Sequence, residues 1–374
     1  MSLRPFLPLI AAAALGAGAV SGSANAADLV IGVPIAQAGV YAFVGVPGMK
    51  GMKQAAEEAN DSGELGANKI KLIVEDDNSD RGQSITLANR MIRGDKVLAI
   101  VGAAGTTPAL ALAGVANDQK VPMISMATSP AITQAGKYSY HVMAGPTLQI
   151  DRIVSFAFDK YKPKTFASVN ARDNEGATVQ VKRAREWLQG KVTLLPEESV
   201  LGSDTDFTPV VTKLAASQPD MFFIGLFEAS SASMAVQARQ MGVKSLIVGS
   251  TSLVGPGFLR IGGPAVEGVI APTDYVLERA DKLNQDFVAG YKKRYGENPD
   301  NWAALGYTSM RVVINAIKAS GAEPTRESVT EHMAKTKDMP SVLGTGKYGF
   351  DASREPVYDM AILTVKGGKY VPAE

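Results

Sequence analysis

The sequence predicts an α/β protein with two lobes, each built on a doubly wound parallel sheet. Three observations predict this fold. Apolar runs alternate with amphipathic helical patterns from residue 29 onward. A second series of the same kind starts near residue 151, and a break at residues 142–149 separates the two series. Because strands that alternate with helices pair in parallel, each series predicts its own sheet with helices on both faces.

The first series alternates four strands with three helices. Its strand segments are DLVIGVPI, KIKLIVEDD, VLAIVG and VPMISM, and its helical segments are residues 47–60, SITLANRMIRG and TTPALALAGVANDQ. In the first helix Met49, Met52, Ala56 and Ala59 share one face. We therefore expect this helix to pack with that face on the sheet.

The second series repeats the pattern with four helices and four strands. In chain order they are DRIVSFAFDKY, TFASVNA, GATVQVKRAREWLQG, KVTLLPEESV, FTPVVTKLAAS, MFFIGLF, ASSASMAVQARQMG and SLIVGST. After a glycine-rich stretch at 253–269, two long amphipathic helices are predicted at 279–296 and 301–321, both packed on an existing sheet. The tail at 347–373 is predicted to form a β hairpin. Segments that return to each lobe would make the connection a hinge, with ligands in the cleft between lobes.

The N-terminus has the pattern of a cleaved secretory signal peptide over residues 1–26. An apolar run follows MSLRPF, and Ala24 and Ala26 form the Ala-x-Ala cleavage pattern. We find no later apolar run of about 18 residues, so no membrane anchor is expected. The chain has no cysteine, which excludes disulfides, thiol nucleophiles, zinc–thiolate sites and a lipid-modified cysteine. An exported protein of this kind fits a Gram-negative periplasm.

Charge and motifs exclude several classes of function. The net charge is +1, which argues against a nucleic-acid-binding protein. His141 and His332 are expected to be structural, and the acidic segment 75–80 lacks the spacing of a calcium loop. The sequence shows no nucleophile elbow, metal triad or cofactor fingerprint. We expect no cofactor, no metal and no catalysis.

The segment Gly105–Pro108 follows a strand and opens a helix, with proline in the first turn. A helix N-terminus offers free N–H groups and a positive dipole end, which suit a phosphate or a carboxylate. Neither a Walker loop nor a Gly-x-Gly-x-x-Gly pattern is present, so nucleotide binding is only weakly indicated. The alternative is a simple strand-to-helix turn with a threonine cap.

Five stretches, spread over the whole chain after the signal peptide, resemble the leucine/isoleucine/valine-binding type of periplasmic solute-binding protein. They are IGVPIAQAGVYAFVGVPGMKGMKQAAEEAN, IVEDDNSDRGQSITLANRMI, VGAAGTTPALALAGVANDQKVPMISMATSPAIT, EGVIAPTDY and FVAGYKKRYGENPDNWAALGYTSM. The resemblance implies a type I binding fold, in which two α/β lobes joined by three crossings close around a ligand. It places the lobes at 29–143 plus 276–345 and at 146–273 plus 348–374. It also implies a monomer that delivers a small carboxylate-bearing solute to the membrane permease of an ABC transporter.

The resemblance also implies a set of ligand contacts. It places the carboxylate at Gly105, Thr106 and Thr107, with a second segment at Ala127, Thr128 and Ser129. Backbone N–H groups and hydroxyls suit a carboxylate because they give charge-assisted hydrogen bonds. The remaining contacts would be Tyr41, Phe43, Asn170, Glu175, Phe227 and Thr251. Tyr41 and Phe43 could instead pack on a neighbouring helix.

The chain departs from the family where amino-acid-binding members hold the ligand's ammonium group. Those members place an aspartate and a glutamate where this sequence has Pro146 and Thr251. A buried ammonium without a carboxylate is costly, so either Glu175 or Glu228 meets it or the ligand has none. We expect an aromatic or 2-oxo acid. The alternatives are a conventional hydrophobic amino-acid-binding protein, a soluble sensor of the same fold, and an exported α/β enzyme.

Overall fold

The computed structural model describes Met1 and residues 28–373. Met1 aside, the predicted signal peptide lies outside the described residues. The strands are β1 (Asp28–Pro34), β2 (Lys69–Glu75), β3 (Ala99–Ala104), β4 (Met123–Met126), β5 (Ser139–His141), β6 (Thr165–Ala171), β7 (Thr193–Val200), β8 (Met221–Gly225), β9 (Leu246–Gly249), β10 (Ile270–Thr273), β11 (Met339–Pro340), β12 (Lys347–Phe350), β13 (Pro356–Val357), β14 (Ala361–Lys366) and β15 (Lys369–Pro372). The α-helices are α1 (Ala42–Ser62), α2 (Arg81–Arg93), α3 (Thr106–Asp118), α4 (Ala131–Gln134), α5 (Pro146–Tyr161), α6 (Glu175–Leu188), α7 (Thr208–Ser217), α8 (Glu228–Gln240), α9 (Pro256–Gly262), α10 (Lys282–Tyr295), α11 (Asn301–Ala319) and α12 (Arg326–Ala334). Two 3₁₀ turns lie at Thr251–Leu253 and Gly263–Val266.

The described chain forms two large sheets. The first has five strands in the order β2-β1-β3-β4-β5, all paired in parallel. The second has seven strands in the order β15-β14-β10-β9-β8-β6-β7, and its antiparallel members are β14 and β15. We call the first sheet with its helices the first lobe, and the second sheet with its helices the second lobe. The residue bounds predicted for the lobes stay a prediction.

Helices cover both faces of each sheet, so successive residues of a strand enter different cores. In β8, Phe222 and Ile224 lie in one buried cluster, and Met221 and Phe223 lie in another. A strand covered on both faces is apolar at every position, as MFFIG is. Late in the chain, helix α11 returns to the first lobe and packs along α1.

Several element boundaries differ from the sequence prediction. Helix α1 begins at Ala42 rather than at Pro47, which lies inside it, because its packing along α11 offsets the hydrogen bond that a proline removes. Helix α5 begins at Pro146, inside the segment predicted as a break. Proline suits the first helical position because the N–H that it lacks would have no partner there. Of the predicted terminal hairpin, residues 361–372 form one, whereas β12 pairs with β11 and β13 in a separate small sheet.

The chain passes between the lobes three times, at 142–145, 274–281 and 351–360, as the element order shows. Tyr358 joins all three passages. Its hydroxyl accepts a hydrogen bond from the backbone N–H of Ala144 at 2.7 Å and donates one to the Asp274 carboxylate. Asn301 donates to the same carboxylate at 3.1 Å. Burial raises the pKa of Asp274, and these hydrogen bonds oppose that rise.

His141 also belongs to the connection between the lobes. It is buried at the end of β5, with Nδ1 2.8 Å from the Met143 carbonyl oxygen and Nε2 3.2 Å from the Glu355 carboxylate. The contact with His141 helps to hold the pKa of Glu355 below its usual value, although partial burial opposes this. His141 therefore ties the first passage between the lobes to the third.

Candidate functional site

A small cavity of about 60 Å³ lies between the lobes, beside the carboxyl ends of strands from both sheets. Ligands of open α/β sheets bind at this edge. Its walls are formed by Tyr41, Phe43, Val44, Gly105, Thr106, Met126, Ala127, Thr128, Met143, Asn174, Gly176, Ala177, Gln180, Leu226, Phe227, Thr251, Ser252 and Trp302. Eight of the twelve sequence-predicted contacts are among them: Tyr41, Phe43, Gly105, Thr106, Ala127, Thr128, Phe227 and Thr251.

The turn from β3 into α3 forms one wall of the cavity. Gly105 has φ +85°, and a Cβ atom there would lie 2.2 Å from the Tyr41 ring, so only glycine fits. Helix α3 then starts at Thr106, and no side chain accepts a hydrogen bond from its first N–H groups. The threonine cap considered from the sequence is therefore absent. The helix presents free N–H groups and its positive dipole end toward the cavity.

The sequence predicts that Thr107 and Ser129 hold the carboxylate, but the cavity does not include them. Thr107 hydrogen-bonds Tyr41, which lowers the pKa of the phenol, while burial, the larger effect, raises it to about 12. Ser129 is buried, and its hydroxyl oxygen accepts from the Ala131 N–H at 3.4 Å. Both residues therefore support the two segments that face the cavity.

Asn170 and Glu175 also lie outside the lining residues. The Asn170 amide donates to Glu197 and accepts from the Ser199 hydroxyl at 3.0 Å, so residues of strand β7 bind both its nitrogen and its oxygen. Glu175 is the first residue of α6, and its side chain is exposed to solvent. A negative charge at a helix N-terminus is stabilised by the helix dipole, so Glu175 contributes to the stability of α6.

The two lobes touch across the cavity. Tyr41 of the first lobe and Phe227 of the second meet edge to face, with ring centroids 5.2 Å apart. A Cβ atom on Gly176 would lie 2.7 Å from Thr106 Oγ1, so the start of α6 lies against the start of α3. Phe43 packs on Trp302 with centroids 5.4 Å apart. The structure is therefore a closed form with aromatic walls.

Sequence reasoning missed two residues of the cavity that matter chemically, Trp302 and Gln180. Trp302 stands in the first turn of α11, far along the chain from the other aromatic contacts. Gln180 lies on the buried face of α6, beside Ala177, Val181 and Ala184. A polar side chain on an otherwise apolar helix face was the signal that could have identified it.

Five buried side chains of the cavity that carry a hydrogen-bonding group make no hydrogen bond within residues 28–373. They are Thr106, Thr128, Gln180, Thr251 and Trp302, whose indole N–H is fully enclosed. Among the other buried Ser, Thr, Asn and Gln side chains of that range, Ser231 alone shares this state. A buried polar group without a partner costs about 1–3 kcal/mol, so such groups normally have one. Their concentration in one cavity marks it as a polar binding site.

No Asp, Glu, Lys, Arg or His is among the lining residues of this cavity. The two acids that the sequence offered for an ammonium group are engaged elsewhere. Glu175 is exposed, and Glu228 is buried with Oε1 accepting from the Phe258 N–H at 2.9 Å. Burial raises the pKa of Glu228. Neither acid reaches the cavity, so an ammonium group would find no carboxylate there.

A second, larger cavity of about 810 Å³ lies between the lobes near α9 and the start of α11. Its walls include Glu228 and Arg260 of the second lobe and Lys50 and Asp300 of the first. Asp300 caps α11, accepting from the Ala303 N–H at 2.8 Å. Burial, with a contribution from Glu228, raises its pKa to about 7. Lys50 forms an ion pair with Glu297. Charged side chains therefore line the larger cavity, whereas none lines the small one.

The described residues offer neither a metal site nor a membrane span. No group of three or more His, Asp or Glu side chains among them could hold a metal ion. No helix within the same part of the chain has the length and apolar character needed to cross a membrane. The acidic segment 75–80 serves locally: the Asp80 carboxylate accepts from the Gln83 N–H at 2.7 Å and caps α2.

The chain is similar to curated proteins over most of its length. It is 26% identical over 344 residues to a Leu/Ile/Val-binding protein homolog of Brucella abortus, covering 91% of both chains. It is 26% identical over 306 residues to a leucine-, isoleucine-, valine-, threonine- and alanine-binding protein of Pseudomonas aeruginosa, covering 80% of both.

Solved structures show the same fold. A leucine-binding protein of Thermotoga maritima superposes with a TM-score of 0.85 at 26% identity, covering 92% of this chain and 98% of that one. A solute-binding protein of Rhodopseudomonas palustris, solved with benzoate, superposes with a TM-score of 0.83 at 21% identity, covering 93% and 96%. The predicted two-lobed fold with three crossings is thereby confirmed. Since the family model described as periplasmic binding protein matches residues 28–369, this chain belongs to that family.

Proposed function

We propose that the protein captures a small carboxylate without an ammonium group and presents it to the permease of an ABC importer. An aromatic or 2-oxo acid fits this description. One observation supports the proposal above all others. The interlobe cavity has unpaired hydroxyl and amide groups and aromatic walls, but no charged side chain. We place this activity in the periplasm, with the protein acting as a monomer.

The carboxylate would lie at the start of α3. Thr106 and Thr128 bring unpaired hydroxyls from neighbouring strand ends of the first lobe, and the uncapped helix start adds backbone donors. Hydrogen bonds from neutral donors to an ionised acceptor are stronger than those between neutral groups. The site can therefore hold an anion without an opposing full charge.

An amino acid would bring an ammonium group into the same cavity. The family's positions for its acidic partners hold Pro146 and Thr251 here. Pro146 starts α5 and does not line the cavity, and Thr251 offers a neutral hydroxyl. An uncompensated buried cation costs several kcal/mol. The closed cavity therefore disfavours the zwitterion.

The relatives supply the second candidate function. The Brucella and Pseudomonas proteins are named for branched-chain and small amino acids, which favours a conventional amino-acid-binding protein. The benzoate-bound structure shows that this fold can enclose an acid without an ammonium group. The uncharged cavity of this chain favours an acid without an ammonium group over an amino acid.

Calorimetric titration separates the two candidates. We expect 4-methyl-2-oxopentanoate or benzoate to bind more tightly than leucine, which carries the ammonium group. Leucine binding with a dissociation constant of about 1 μM or tighter, near −8 kcal/mol, with no binding of the deaminated acids, would contradict the proposal. The protein should be unfolded and refolded before titration so that ligand from the host does not occupy the site.

A further inference from the structure

Gln180 is a buried polar residue of the second lobe to which the proposed function gives no role. Its side chain is buried, lines the small cavity and makes no hydrogen bond in residues 28–373. Its amide is not fully enclosed by protein atoms. A buried amide pays a desolvation cost unless something binds it.

The helix geometry explains why Gln180 reaches the cavity from the second turn of α6. Long side chains in a helix lean toward its N-terminus, and the N-terminus of α6 lies at the cavity, with Gly176 against Thr106. Gln180 follows Gly176 by four residues, on the same face and one turn deeper in the second lobe. Gln180 therefore lines the cavity from the second lobe, whereas Thr106 and Thr128 line it from the first.

We propose that Gln180 hydrogen-bonds a second polar group of the ligand, distinct from its carboxylate. This inference rests on the proposed function and narrows its substrate class to compact acids that carry a hydroxyl or carbonyl group. A primary amide offers both a donor and an acceptor, which matches a hydroxyl group on both counts. An entirely apolar ligand body would leave the amide unpaired.

The alternatives for Gln180 are weaker on chemical grounds. An ammonium group would need a negative charge, which neither the amide nor the neighbouring Thr251 supplies. The carboxylate itself is already matched by Thr106, Thr128 and the start of α3 in the first lobe. A second polar group therefore remains as the partner for the amide.

The test uses acids that differ by one hydroxyl group. The pairs are benzoate with 3- and 4-hydroxybenzoate, and pentanoate with 4-hydroxypentanoate, each titrated calorimetrically against the full-length mature protein. We expect at least one hydroxy acid to bind about tenfold more tightly than its parent, as one hydrogen bond of about 1.4 kcal/mol gives. Gln180→Met keeps the length of the side chain and should reduce that preference to about twofold or less. Gln189→Met, at the exposed end of the same helix, is the matched control and should keep it.

Each result decides for or against the inference. Equal affinities within every pair overturn it, as does a hydroxyl preference that survives in Gln180→Met. In both cases binding of the parent acids would leave the proposed function standing. Failure of all these acids to bind, with tight binding of leucine, overturns the inference and the proposed function together. Circular dichroism melting of both variants separates a lost contact from a lost fold.

Discussion

At the scale of single residues, Thr106 is a predicted ligand contact that the structure places in the cavity. Its hydroxyl is buried in the cavity without a partner, at the start of a helix that no side chain caps. If it donates to the ligand's carboxylate, Thr106→Val should weaken binding by about 1.5–3 kcal/mol, the range for hydrogen bonds to charged groups. The binding is measured by calorimetry with the tightest acid found for the wild type.

The fold should tolerate this substitution because the lost hydroxyl bonds nothing within the protein. Thr86→Val, on the exposed surface of α2, is the matched control and should leave affinity unchanged. An unaltered affinity in Thr106→Val would assign the anion to backbone donors alone or to another place.

The start of α3 could be identified from local chain geometry, whereas the predicted contacts from the second lobe came from the family resemblance alone. Gly105 and Thr106 follow a strand and open a helix, a pattern that is visible in the letters alone. Gln180 and Trp302 reach the cavity only because α6 and α11 are packed in a particular orientation. Asn170 was predicted to face the cleft, but its neighbours in β7 take up its amide.

At the scale of elements, Asp300 combines two opposing effects at the start of α11. It caps the helix through the Ala303 N–H, yet burial and Glu228 raise its pKa to about 7. An acid whose pKa is higher in the folded state than its unfolded value of about 3.9 binds its proton more tightly when folded. Its contribution to stability is therefore lost as the pH rises from about 4 to about 7.

Asp300→Asn tests this sign directly. Asparagine caps a helix as well as aspartate does but cannot ionise. We expect the variant to gain stability relative to the wild type by about 1–3 kcal/mol between pH 5 and pH 8. Urea unfolding of both proteins at pH 5 and at pH 8 measures the difference in unfolding free energy between variant and wild type. Other titrating groups are common to both proteins, so their effects cancel in that difference. A difference that does not change with pH would show that Asp300 keeps an ordinary pKa.

The long periodic elements were predicted, whereas some of the short ones, including β5 and β11, were not. The pattern of α11 extends over five turns, which is enough to identify the helix, although the structure buries almost all of its residues rather than one face. Strand β5 has three residues, which is too few for alternation to be visible. The small sheet of β11, β12 and β13 forms by pairing between distant segments, which single-sequence patterns do not encode.

At the scale of the whole molecule, Tyr358 joins the three passages between the lobes. Tyr358→Phe removes the acceptor for the buried Ala144 N–H and one donor to the buried Asp274 carboxylate. We expect a loss of about 1–3 kcal/mol of unfolding free energy, the cost of leaving such groups unpaired. Urea denaturation measures it. Tyr161→Phe, at an exposed tyrosine, should change stability by less than about 0.5 kcal/mol.

The contacts across the cavity predict a change of shape on binding. The structure has Tyr41 against Phe227 and Gly176 against Thr106, which join the lobes without any covalent link at that edge. A ligand that touches both lobes favours the closed state over an open one. Small-angle scattering should show a smaller radius of gyration at saturating ligand. The same radius with and without ligand would argue against hinge motion.

The uncharged cavity has one more consequence, for the conditions under which capture works. Tyr41 is the ionisable side chain among its lining residues, and its pKa of about 12 keeps it neutral in any ordinary medium. The binding site therefore has the same charge in acidic and alkaline surroundings, and dissolved ions have little to screen there. For an acid bound here, as proposed, its own protonation would then set how tightly it binds.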